Sequence, residues 1–397
     1  MWAEEATIHL KSSFNCSKLE MLFFIPTHEG YFCLNRNLVI IFANLFPLKL
    51  TALITTVAAL CIQVTPHVII LCSKNNQWGS LGQRFLLSSA IILIPIGTGE
   101  IWLNSTCSHY HFGVLAFIIC IDLLDSITKF KIWAYTILLC IGALSSPISC
   151  FLYPFLLYTK LKFKFKIPNS VLFTFGICCL LQFFISIIFM TREEGLGKTR
   201  FESYNIHEFP SILINDVIIK TFFGDNGLNF SLLIVRGISK ISSLELTSVY
   251  WLLLFCILFI VWLIFRFKKH SDPIIQSSIF CFFVTFAFLY LSVGSPNNLI
   301  PRNAFLPGVI LIFIAFLSLK NSKSKLFQFL ILIFFCISTF EYFKYDSTYY
   351  SRDWPDWSSE IEKWEVDNDY QVKVWPRKNS FWFYLDDDAW TMSIPPK

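Results

Sequence analysis

Charge is scarce in this chain. Asp, Glu, Lys and Arg make up 15% of its 397 residues, against about 25% in an ordinary soluble domain. That scarcity excludes a disordered scaffold and a soluble nucleic-acid binder. A glycine-rich phosphate loop, a His-Glu-x-x-His helix and a nucleophile elbow are all missing, so soluble nucleotide or hydrolytic chemistry has no support. No Cys-x-x-Cys pair is followed by a second Cys/His pair, which argues against structural zinc. Nothing near Met1 has the basic start and apolar core of a signal peptide. What is abundant is apolar: 55% of residues are hydrophobic, 44 are Phe, and mean hydropathy is +0.59. A soluble fold has no room to hide that surface, so the expected solvent for most of the chain is lipid.

A spanning helix needs about 20 apolar residues, fewer where the bilayer thins. Apolar runs predict spans near 49–72, 85–103, 110–125, 130–145, 147–162, 169–190, 249–266, 274–294, 303–319 and 326–340. The segments Lys74–Arg84, Lys129–Lys131, Lys160–Lys166, Arg266–Lys269 and Lys320–Lys325 are basic and almost free of acids. If all five are cytoplasmic, the spans alternate without violation, provided 130–162 is a hairpin turning at Ser145-Ser146-Pro147. The expected fold is therefore an all-α polytopic membrane protein of about ten transmembrane helices with both termini outside.

The layout divides into an external N-terminal segment (1–48), a first transmembrane bundle (49–190), a periplasmic loop region (191–248), a second bundle (249–340) and an external C-terminal cap (341–397). Residues 341–397 hold twelve acidic against seven basic residues and six of the twelve Trp. Tryptophan of that density suits a cap at the headgroup boundary, with a sugar-stacking surface as the alternative. An external N-terminal segment without an export device implies one more apolar helix upstream of Met1.

Ionisable groups close to lipid are costly and functional by default. Glu4 and Glu5 form an adjacent acidic pair; the plain alternative is two solvated acids at a frayed terminus. Glu100, with Asn104, His109 and His111 after it, reads either as a polar pocket or as a cluster capping a re-entrant turn. His28, Glu29 and Tyr31 form a polar turn before Arg36. Arg302, against the basic-inside trend, either grips a phosphate through its guanidinium fork or snorkels to headgroups.

Several short motifs together resemble bacterial polytopic glycosyltransferases of the GT-C type. They are Trp2-Ala3-Glu4-Glu5-Ala6, Pro26-Thr27-His28-Glu29-Gly30-Tyr31-Phe32 with Arg36, Gly99-Glu100-Ile101-Trp102-Leu103-Asn104-Ser105-Thr106, Ser145-Ser146-Pro147 and Arg302-Asn303-Ala304-Phe305-Leu306-Pro307. The tail pattern Asp356-Trp357, Glu360, Trp364 and Val374-Trp375-Pro376 continues the likeness. Size, topology and the hydrophilic external C-terminus are similar to O-antigen glucosyltransferases of serotype-converting phages.

The resemblance implies transfer of a sugar, glucose in that subgroup, from a polyprenyl-phosphate carrier to a surface polysaccharide such as O-antigen. The reaction would take place on the periplasmic face of the bacterial inner membrane. It places the catalytic acid at Glu4 or Glu5, where relatives often read Glu-Asp, so that Glu5 is one methylene longer. His28, Glu29, Tyr31, Glu100, Asn104, His109 and Arg302 become substrate-binding candidates, with no metal and no cofactor. The rival class is a transporter or flippase of lipid-linked sugars; paired broken helices in two halves would mark it, and the sequence shows none. A non-catalytic membrane assembly partner is the third reading.

Overall fold

A computed structural model describes residues 5–26, 30–96, 102–103, 105–125, 128–190, 206–267, 272–293, 301–321, 325–343, 356–377 and 389–395. Among these the chain is α-helical apart from one antiparallel pair, Val372–Arg377 with Ala389–Met392. Helices occupy the places the apolar runs predict, including Thr51–Cys72, Asn169–Met190, Leu246–Phe267, Pro273–Val293, Phe305–Asn321 and Lys325–Phe343.

Fewer of them are clear crossings than the sequence predicts. Among the described residues two helices, Leu48–Cys72 and Asn169–Phe189, are long and apolar enough to cross a membrane. A third counts if Gly227–Ser242 and Leu246–Phe259, bent by 108° at their junction, form one span. Leu81–Ile92 leaves the helix well before residue 103, and Ser108–Asp122 has only 15 residues. Within the segment 191–248, Ile212–Ile219 and Lys220–Ser242 are helical. Ile212, Leu213, Ile214 and Val217 are buried in the main core. The polar pair between them is satisfied locally: Asn215 Nδ2 donates to Tyr250 Oη at 2.9 Å, and Lys220 Nζ pairs with Asp216 at 2.8 Å. That helix breaks at Gly224, whose φ of +59° admits glycine with little strain.

The long helices are inverted relative to a soluble bundle. On Thr51–Cys72, Leu53, Val57, Leu60, Val64 and Val68 face outward, while Thr51, Thr55, Gln63 and His67 are buried. On Asn169–Met190, Phe173, Ile177, Leu180, Phe183 and Phe184 face outward and Gln182 faces in. An apolar exterior over a polar-lined interior suits hydrocarbon surroundings. Ser108–Asp122, apolar nearly all round, runs through the centre and is buried along almost its whole length.

The chain reverses at Ser146. Lys129–Ser145 ends there in extended backbone, and Pro147 opens the next turn. Along the Asn169–Met190 helix, Lys160 lies against Asn169, the Tyr153 hydroxyl against Gly176, and Cys150 near Cys179. The segment 150–163 therefore descends beside a rising helix. Its lower end joins the basic face, where Asp122 is buried. That carboxylate accepts from Trp78 Nε1 at 2.9 Å, Tyr135 Oη at 2.6 Å, Lys131 Nζ at 3.4 Å and Ser73 Oγ.

At the opposite end sits the cap. Trp357–Val366 starts at Asp356, whose side chain accepts from Ser359 N at 3.1 Å. Trp357, Ile361, Trp364, Val372, Val374, Met392 and Ile394 form one apolar core with Ala6, Leu10, Met21 and Ile40. Trp357 Nε1 donates to Leu48 O at 2.9 Å, and Lys49 pairs with Glu365 at 3.0 Å. Trp357 and Trp364 are thus neither a headgroup belt nor a sugar platform. Each indole fills the seam between cap and N-terminal segment, while Glu362, Lys363 and Glu365 take the solvent side.

Glu360 is buried in the cap and accepts from Lys363 Nζ at 2.6 Å, Tyr370 Oη at 2.8 Å and Lys373 N at 3.0 Å. Burial pushes its carboxyl up, but these three donors outweigh that and hold it below the ordinary 4.5. The stabilisation is then full above pH 4.5 and is lost as pH falls through the lowered folded-state value. Thermal midpoints of wild type and Glu360→Gln should differ most above pH 4.5 and converge in more acidic buffer. A gap that is independent of pH would sink this account.

Candidate functional site

At the cap end, the π-helical segment Glu5–Leu10 turns two faces to two neighbours. Ala6 and Leu10 enter the cap core, while Glu5 and His9, one turn apart, point into the bundle. Turns of this wide type recur at functional sites.

Glu5 is 3% exposed. Its Oε1 accepts from the Ser105 amide at 2.7 Å and from the Ser105 hydroxyl. Its Oε2 meets the Thr55 hydroxyl at 3.5 Å, and that hydroxyl also bonds Ala52 O at 3.1 Å. The two oxygens are therefore unequal. One is pinned by the loop; the other has only a long contact among the described residues and keeps lone-pair capacity for a proton.

Arg36 is wholly buried in the Leu34–Ala43 helix. Its Nη1 donates to His9 Nε2 at 2.6 Å, and its Nη2 donates to Thr106 O at 3.1 Å. Because guanidinium is always charged, His9 accepts as the neutral tautomer protonated on Nδ1. The same Thr106 carbonyl takes His109 Nδ1 at 2.7 Å. Consecutive residues Ser105 and Thr106 thus hold an acid, a cation and an imidazole together. The loop they end dips inward: Leu103 N donates to Gln63 Oε1 at 3.0 Å, two helical turns beyond Thr55.

Tyr31 and His109 have ring centres 6.0 Å apart, and His109 lies 4.0 Å from Tyr110. The Tyr110 hydroxyl donates to Asn303 Oδ1, which brings the Pro301–Ala304 turn to the same wall. Of the residues expected from sequence, the structure therefore gathers Glu5, Tyr31 and His109, and the backbone turn that carries Arg302. Glu4, His28, Glu29, Glu100, Asn104 and the Arg302 side chain lie outside the described residues.

Sequence reasoning did not single out His9, Arg36, Ser105, Thr106, Thr55 or Gln63 as site residues. Arg36 offered a signal, since an arginine inside Leu34-Asn35-Arg36-Asn37-Leu38-Val39-Ile40-Ile41 is too costly to bury without partners. His9 offered none, because its partner is 27 residues away.

A comparison with family models, curated proteins and solved structures finds no match. The chemistry is then argued from geometry. Among the described residues no group of three His, Cys, Asp or Glu is placed to hold a metal ion. What the wall offers is a buried carboxylate with one oxygen fixed, a compensating guanidinium, and polar side chains at the edge of an apolar bundle.

Proposed function

We propose that this chain is a polytopic membrane glycosyltransferase of about ten spans in the bacterial inner membrane. It moves a sugar, glucose in the subgroup it resembles, from a polyprenyl-phosphate carrier to a surface polysaccharide on the periplasmic face. The observation that carries the proposal is Glu5: a buried carboxylate held through Oε1, with Oε2 in only a long contact with Thr55 among the described residues. A sugar hydroxyl is a weak nucleophile until a base within hydrogen-bond reach takes its proton.

In the proposed reaction an acceptor hydroxyl attacks the sugar's C1 and its proton passes to Glu5 Oε2. The bond from C1 to the carrier phosphate breaks, and that bond's electron pair leaves with the phosphate. The growing negative charge needs a fixed cation, the role given to Arg302. Arg36 balances Glu5 within the wall, and His109 and Tyr31 line the acceptor side. The prenyl tail reaches such a site sideways through lipid, so no nucleotide pocket is required.

Purified protein in liposomes, given a polyprenyl-phosphate sugar and a lipid-linked acceptor glycan, should join the two without any other enzyme. Arg302→Lys should retain more transfer than Arg302→Ala, since a point charge survives without the fork. A preparation that moves the carrier lipid between leaflets but forms no glycosidic bond would replace this reading with the transporter.

A further inference from the structure

The end of the bundle far from Glu5 carries its own surface. Contacts place several segments there together. Asp122 joins Ser73, Trp78 and Lys131. Lys320 Nζ donates to Asn76 O at 2.6 Å, Asn321 reaches Asp272 at 3.4 Å, and Tyr158 stacks on Phe280 at 4.3 Å. Between Tyr158 and Asn169 runs the sequence Lys160-Leu161-Lys162-Phe163-Lys164-Phe165-Lys166-Ile167.

Its backbone turns alternation into two faces. Lys164 adopts left-handed φ and ψ and closes the Tyr153–Phe163 helix. The residues after it lie outside any helix up to Asn169. Lys162, Lys164 and Lys166 are exposed, whereas Phe163 and Phe165 are half-buried and Ile167 is buried. Lys160 is spent as a staple, donating to Ile167 O at 3.0 Å and to Asn169. Lys162 Nζ donates to Tyr158 Oη at 2.6 Å and lies 5.3 Å from the Phe163 ring centre, which holds its ammonium at the edge of the aromatic layer. Residues 153–190 contain no Asp or Glu at all. Leu161, next to Lys162 in sequence, is 77% exposed, and Phe130, at the start of the Lys129–Ser145 helix, is 82% exposed. Exposed apolar side chains together with exposed lysines form an interfacial surface: the first enter acyl chains, the second meet headgroups.

We propose that Lys162, Lys164 and Lys166 bind the phosphates of anionic lipid headgroups in the leaflet at this end. The proposal rests on the chain lying in a bilayer and is independent of glycosyl transfer. A lysine at an anionic surface contributes about 1 kcal/mol, a roughly fivefold bias per charge.

The test uses full-length protein reconstituted in phosphatidylcholine with a minority of phosphatidylglycerol. The protein is excised with its surrounding lipids by an amphipathic polymer, and those lipids are quantified. Wild type should carry more phosphatidylglycerol than the bulk. Lys162→Gln/Lys164→Gln/Lys166→Gln should fall to bulk composition, the Arg triple should keep the excess, and high salt should erase it. A wild-type ratio equal to bulk, or an excess that survives the Gln triple, overturns the proposal. If the Gln triple fails to fold, Lys164→Gln/Lys166→Gln and the salt titration of wild type decide by the same two criteria.

Discussion

Glu5→Gln should lower the rate of sugar transfer by about 10²–10⁴, the range for losing a positioned base. Protein level and thermal midpoint should stay near wild type. The amide keeps an oxygen where Oε1 now accepts from the Ser105 amide and hydroxyl, so the loop contact survives. At the Oε2 position it puts an NH2, which donates and takes no proton. Shape is retained while the function of one oxygen is removed. The measurement is initial rate in the liposome assay, with the midpoint recorded on the same preparation. Full activity in the Glu4→Gln/Glu5→Gln double variant would take the base out of this segment, and a midpoint collapse in Glu5→Gln would make the carboxylate structural.

Asp122→Ala should do the reverse, unfolding the protein more readily wherever activity can still be measured. One buried carboxylate accepts from an indole, a phenol, a serine hydroxyl and an ammonium. Removing it strands those donors at the basic end, and breaking a buried charged network costs about 3–5 kcal/mol. Asp122→Asn should be milder, because one oxygen can still accept from Trp78 while the amide NH2 meets Tyr135. Thermal unfolding in detergent ranks the three proteins, with Ala lowest. An Ala variant as stable as wild type would mean that the loop 73–80 is held by Arg84 and Lys320 instead.

Apolar runs alone located the helices Thr51–Cys72 and Asn169–Met190, because hydrophobicity over 20 residues is a local property that tertiary structure does not rewrite. Ile212–Ile219 was missed for a related reason: Asn215 and Asp216 break its apolar run, and Asn215's partner Tyr250, 35 residues on, is visible only after folding. At the site, Glu5 was legible from motif and His109 from its neighbours. The Arg36–Thr106 bond spans 70 residues and the Ser105–Glu5 bond spans 100. Pairings across such distances leave no periodicity to read. The tryptophans of the tail were read from composition, which gives their preference for boundaries but not that Trp357 and Trp364 face inward.

Synthesis runs from N- to C-terminal residues, and the seam between Ala6, Leu10 and the Trp357–Val366 helix joins segments far apart in the sequence. One side of that seam is made long before its complement, with the Trp357–Leu48 bond spanning 309 residues. Bringing together points so far apart carries a loop-closure cost that grows slowly with length, yet it cannot be met before the late residues exist. Until the Trp357–Val366 segment is made, the Glu5–Leu10 segment therefore lacks the neighbour of its Ala6 and Leu10 face. The face opposite Glu5 is therefore completed late, so the order of translation itself sets when this segment is packed on both sides.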